Sequence, residues 1–195
     1  MLDDQKMKDT IITTPRKITD RVRQLCNQID RTQKPRYVAV RPEEYARETD
    51  CFFNVDEKIQ REGGRRQLGW TIWEMKNVFL EAEFHAVWQS ESGQLVDITP
   101  KKDGERRILF QPDSIRTYNR ESVDNIRLAL RNDPEVNEYL HLHERFRTIL
   151  KDHRIGNSAP GGFPVSLPLH AQNEIILIQK RLLELQPIIS RMSLR

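Results

Sequence analysis

Cysteine is scarce in this 195-residue chain: it has two, Cys26 and Cys51. That is too few for a disulfide framework, and the two lack the paired spacing of a structural zinc site. Long hydrophobic runs are missing as well. No stretch approaches the roughly 18 apolar residues of a membrane-spanning helix. The opening residues, MLDDQKMKDTIITTPRK, hold no apolar core of signal-peptide length. These absences point to a soluble protein of a reducing compartment, the cytoplasm, with no membrane contact. Charge of one sign is also wanting. Thirty-two basic and 29 acidic residues leave a net charge of +3. The short GGRR and GERR runs do not accumulate into a basic patch, so nucleic acid is not an expected partner. Hydrophobic residues make up only 37% of the chain. They are clustered, however, which leaves enough for a core in one domain with an appended helical piece.

Along the chain, residues 1–14 are polar and read as a flexible N-terminus. Pro15 opens a predicted helix, with Ile18, Val22, Leu25, Cys26 and Ile29 on one stripe. PRYVAV, 35–40, reads as a short strand. ETDCFFNVDEKIQREGG reads as a helix, capped by Thr49 or Asp50 and stopped by Gly63-Gly64. Strands follow at QLGWTIWEM, at VFLEAEFHAVW after a Lys76-Asn77 turn, at the return of the next hairpin, and at RRILFQPD. The expected arrangement is an α+β core over residues 15–114, whose four consecutive strands form an antiparallel meander. Beyond it, 115–195 reads as a helical extension, packed on the core or binding a protein partner. It comprises ESVDNIRLALRN, DPEVNEYLHLHERFRTILKDH and HAQNEIILIQKRLLEL, with a Gly/Pro-rich loop at 156–168.

The hairpin EAEFHAVWQSESGQLVDITP is the informative stretch. Folded symmetrically about Glu91, it sets Trp88 opposite Gln94 and His85 opposite Asp97. Opposed residues share a face at a Cβ separation of roughly 4.5–5.5 Å, within reach of an imidazole–carboxylate hydrogen bond. Alternation then puts Phe84, Ala86, Trp88, Val96 and Ile98 on a core face. His85 and Asp97 lie on the other face with Glu81 and Glu83.

Cys51 falls at the first turn of its predicted helix, where the macrodipole and free N–H groups favour a thiolate. A thiolate beside an imidazole is an activated acyl-transfer nucleophile, and an opposed carboxylate orients the imidazole. The order Cys51, His85, Asp97 therefore reads as a catalytic triad. DCFFNVDEKI followed by EFHAVWQSESGQLVDITP resembles the core of the transglutaminase-like cysteine proteins, a branch of the papain-like fold. The matching positions are Cys51, His85-Ala86, Gly93 and Asp97-Ile98-Thr99-Pro100, within about residues 45–100. The GGRRQLGWTIWEMKNVFLEAEFHAVW block also resembles bacterial proteins without an assigned activity. The resemblance implies an α+β papain-like/transglutaminase-like core, with the Cys-bearing helix packed on an antiparallel sheet. It implies thioester chemistry at an amide of a protein or peptide substrate, as a peptidase or amidase or as a transglutaminase, with no cofactor. Asp50 and Phe52-Phe53 depart from the family's usual cysteine surroundings.

Three further residues are candidates for the site. Tyr45, upstream of the cysteine, is the candidate side-chain oxyanion donor. Trp70 is a candidate cleft residue beside Glu83 and His85, and Glu83 a candidate selector of a cationic substrate. Each has a plainer role in packing or as a solvated charge. Cys26 reads as core. His141 and His143, two apart on a helix, do not share a face and do not read as a metal pair. Two alternatives stand beside the triad: a non-catalytic interaction module on the same fold, and a zinc site made of Cys51, His85 and Asp97.

Overall fold

The computed structural model describes residues 12–102, 104–119, 123–155 and 164–194. Its elements are β1 (Ile12–Thr13), α1 (Asp20–Ile29), β2 (Arg36–Val40), α2 (Cys51–Glu62), β3 (Arg65–Met75), β4 (Phe79–Gln89), β5 (Leu95–Asp97), β6 (Arg107–Pro112), β7 (Ile126–Ala129), α3 (Pro134–Asp152) and α4 (Leu169–Ser193). The fold is α+β. The chain forms two compact units. One comprises Thr13–Glu74 with Leu80–Tyr118; the other holds Met75–Phe79 and the residues from Asn119 on.

The first unit is built on a closed sheet. Its strand order is β3-β6-β2-β5-β4, and β4 returns to pair with β3, making a five-stranded barrel. The strands do not form the expected meander. β5 and β6 are consecutive in sequence but do not pair; β2 lies between them, parallel to β5 and antiparallel to β6. A parallel neighbour needs a long crossover, and the chain supplies one between β2 and β5 in α2 and the β3–β4 hairpin.

Closure explains the burial pattern. Val38, Val40, Trp73, Val87, Leu95, Ile108 and Phe110 pack together and come from all five strands, so they fill the barrel interior. Ala86, Trp88, Val96, Ile98 and Leu68 face outward and pack against Cys51, Phe52, Val55 and Ile59 of α2. The part of the expected polar face that holds His85 and Asp97 is thus turned inward and buried, while Glu83 on the same face stays exposed.

Local chemistry sets the ends of the elements. The Thr19 hydroxyl accepts from the Val22 N–H, so α1 begins at Asp20 and not at Pro15. α2 ends where Gly63 turns to φ +72° and its N–H caps the Ile59 carbonyl. In the β4–β5 loop, Ser90 N–H donates to the Gln94 carbonyl, and Gly93 sits at φ +86°. This is the three-residue hairpin loop, with a left-handed residue closing a type I turn.

In the second unit α3 packs against α4. Val136 and Tyr139 of α3 join Leu185 and Ile189 of α4, together with Met75, Val78 and Phe79 from the hairpin tip. Ile149, Ala171, Ile175 and Ile178 form a further cluster. Over 123–132, the described part of ESVDNIRLALRN, the expected helix is not formed. Ile126–Ala129 is a strand, and the Leu130 N–H donates to the Val78 carbonyl at 2.8 Å. Ile126, Leu128 and Leu130 alternate with period two, a strand signal. α4 runs on through Pro187 to Ser193, beyond the stretch expected. Residues 1–11 of the expected flexible terminus, and 156–163 of the Gly/Pro-rich loop, lie outside the described residues.

Candidate active site

The start of α2 is held by side chains on neighbouring loops. Thr49 takes φ +67°, Asp50 occupies the cap position without a side-chain cap bond, and Cys51 is the first helical residue. One turn on, the buried Asn54 amide closes a bracket. Its Oδ1 accepts from Arg47 N–H at 3.0 Å, and its Nδ2 donates to the Arg47 carbonyl at 2.8 Å and to Thr99 Oγ1 at 3.1 Å. The bracket ties the Cys51 end of α2 to the segment that follows Asp97.

Asp97 is the last residue of β5. Its Oδ1 accepts from the Thr99 N–H at 3.0 Å, and its backbone carbonyl accepts from Arg41 N–H at 2.8 Å. Its Oδ2 lies 3.0 Å from His85 Nε2. Trp88 faces Val96, and Gln89 faces Leu95, so the hairpin is displaced by two residues from the register expected. A displacement of two preserves the face on which each side chain lies. His85 and Asp97 therefore still share a face, as a diagonal pair and not a directly opposed one. That face is the inward one, shared with Val87 and Leu95. The Cys51 sulfur lies near enough to the same imidazole to act on it electrostatically. The structure thus brings Cys51, His85 and Asp97 into one contiguous set, 6%, 6% and 0% exposed.

Burial works against a charged imidazole, but the Asp97 carboxylate and the Cys51 sulfur outweigh it and push His85 up to about 10. Burial likewise works against the Asp97 carboxylate, yet His85 and then Lys101 hold it down at about 2. Cys26, on the apolar face of α1, is pushed up to about 12 by burial.

Three further candidates lie elsewhere. The Tyr45 ring stacks 4.3 Å from the Arg61 guanidinium, ten residues along α2 from Cys51, or about 15 Å of helix. Its hydroxyl is buried with no hydrogen-bond partner among the described residues. Trp70 is fully buried: its Nε1 donates to Asp113 Oδ2 at 2.9 Å and its ring packs against Phe84. Burial on the outward, core face of β3 removes Trp70 from any cleft. Trp73, not Trp70, meets Glu83, at 2.8 Å, and Glu83 is exposed.

Two residues not singled out from the sequence belong to the surroundings of the set. One is Asn54, a turn past Cys51; the other is Lys101, whose Nζ lies 2.8 Å from Asp97 Oδ2. Lys101 follows Asp97 at i+4 across Pro100, a spacing that brings side chains together in a helix but carries no such signal in a loop. Among the described residues, no group of three or more His, Cys, Asp or Glu side chains converges on a point fit for a metal ion. Cys51, His85 and Asp97 are strung in series through the imidazole instead. His143 packs edge-on against Tyr139, and burial lowers it to about 4.

Comparison of the chain with protein-family models, with curated proteins and with solved structures found no match.

Proposed function

We propose that this protein performs cysteine-dependent acyl chemistry at an amide, through a thioester on Cys51. The observation that supports it is the single imidazole in contact with both a helix-start thiol and a buried carboxylate. Asp97 occupies Nε2, which leaves Nδ1 as the ring nitrogen for the thiol. In the forward step the sulfur attacks the carbonyl carbon as thiolate, with its proton on His85. A tetrahedral oxyanion forms, and the Cys51 backbone N–H at the helix start is its available donor. On collapse, His85 gives its proton to the leaving amine and the thioester remains. In the second step His85 takes a proton from the acceptor as it attacks the thioester. Water gives a peptidase or amidase, and a primary amine gives a transglutaminase. Asp97 holds the ring and supports its charge throughout. No cofactor takes part in this scheme. The reading carries with it a papain-like/transglutaminase-like core, a protein or peptide substrate and a cytoplasmic setting.

The test is turnover and adduct formation on a panel of peptide amides and activated esters, with water and with a primary amine as acceptor. Cys51→Ala and His85→Ala should each abolish turnover and remove the acyl adduct seen by intact mass. Combining them should cost little more, because members of one catalytic unit are not additive. Asp97→Asn should lower the rate by roughly two to four orders of magnitude. Full activity in Cys51→Ala would overturn the thioester.

A second reading has its own observation. Cys51 and His85 are only 6% exposed, which fits a non-catalytic protein-interaction module on the same fold. In that case the folded wild type would form no adduct with any ester or amide, and Cys51 would resist small electrophiles as fully as a core thiol does.

A further inference from the structure

Lys101 shares its anchor with His85. Its Nζ is 2.8 Å from Asp97 Oδ2, the same oxygen that the imidazole contacts at 3.0 Å, and 3.5 Å from His85 Nε2 itself. Asp97 is fully buried, the His85 side chain is 8% exposed and the Lys101 side chain 12% exposed, so the ammonium is the most exposed of the three. A carboxylate oxygen held by an ammonium on one side and an imidazole N–H on the other has little freedom to rotate. Its second oxygen is fixed by the Thr99 N–H. The groups that face the imidazole are Asp97 from β5, Cys51 from α2 and Lys101 from the segment after β5. Glu83, on the same strand, is engaged with Trp73, and the neighbouring Lys102 pairs with Glu48.

We propose that Lys101 is a positioning residue of the Cys51–His85–Asp97 set, a cation that fixes the Asp97 carboxylate and restrains the basicity of His85. This rests on the thioester reading for its catalytic meaning, but its physical content does not depend on turnover. Two effects oppose each other on the imidazole. Asp97 and the Cys51 sulfur favour the imidazolium; an ammonium next to Nε2 disfavours it. An imidazolium held too firmly would keep its proton when the leaving amine needs it. The ammonium moderates that hold and keeps the carboxylate ionised and aimed at the ring.

The experiment is an NMR titration of the His85 ring signals from pH 5 to 11 in the wild type, Lys101→Met, Lys101→Gln and Lys101→Arg, with circular dichroism to verify the fold. Losing the cation should raise the His85 midpoint by about one unit in the Met and Gln variants, and Lys101→Arg should keep it near the wild-type value. The alkaline limb of Cys51 alkylation should move by the same amount. A His85 midpoint unmoved in folded Lys101→Met and Lys101→Gln would overturn the assignment and leave Lys101 a surface ion pair. A shifted midpoint with a wild-type Cys51 that no electrophile or substrate modifies would instead remove the thioester, with the Lys101–Asp97–His85 coupling standing. The two failures are thus read separately.

Discussion

An imidazole buried inside a protein is ordinarily neutral, because desolvation penalises the cation. His85 departs from this because its neighbours are a buried carboxylate and a sulfur. The consequence reaches stability. A group whose folded-state value is raised above its ordinary one contributes stability that is fully present below the ordinary value and lost as pH climbs through the folded one. For His85 that window runs from 6.5 to about 10. Urea midpoints measured across it should therefore fall with pH in the wild type, and more weakly in His85→Gln, where no such proton is held. An equal fall in both would show that the charge on His85 is not what the fold supports. On the acid side Asp97 behaves oppositely. Its contribution is present above 3.8 and lost only as pH falls toward about 2. Order, spacing and residue type made Cys51, His85 and Asp97 candidates in the sequence, and the structure places them near one another. The sequence could not supply Asn54 or Lys101, whose roles depend on loops whose paths no local pattern encodes.

Elements were legible where periodicity is local. α2 stops at its glycines, β3 and β4 meet across Lys76-Asn77, and β4 turns into β5 at Gly93. The hairpin register was missed by two residues because the loop uses three residues with a left-handed glycine, and turn type sets register. The glycines themselves separate two costs. At Gly93, φ is +86° and an added Cβ would meet nothing closer than Gln89 Nε2 at 3.8 Å. Gly93→Ala should thus cost only the left-handed strain, about 1–2 kcal/mol. At Gly64, φ is +81° and the Cβ would fall 2.4 Å from the Gln89 carbonyl oxygen and 2.8 Å from Trp88 Nε1. Gly64→Ala must displace the end of β4 as well and should cost distinctly more. Denaturant midpoints of the two variants check this, and equal losses would mean that the β4 end yields freely. The strand β7 was missed for a different reason. Ile126, Leu128 and Leu130 alternate, but the stretch also carries helix-favouring Arg, Leu and Ala, and local propensity alone does not choose between them.

At the scale of the whole molecule, what the sequence concealed is closure. β2 between β5 and β6, and β3 paired with β6, are contacts between distant parts of the chain. They place His85 and Asp97 on the inward face of a barrel and not on an open, solvated one. This also decides how reactivity should be measured, since both thiols are buried and neither is favoured by exposure. They differ in surroundings: Cys26 sits among apolar side chains of α1, and Cys51 sits at a helix start against His85. The most direct measurement is the rate of iodoacetamide alkylation of each cysteine in the folded, full-length chain from pH 5 to 9. Peptide mapping gives the site, and His85→Ala is compared in parallel. Cys51 should react faster than Cys26 throughout, at a rate that drops by roughly 10-fold or more when His85 is removed. Preferential alkylation of Cys26, or a Cys51 rate unchanged in His85→Ala, would contradict the assignment of Cys51, His85 and Asp97 as one nucleophilic unit.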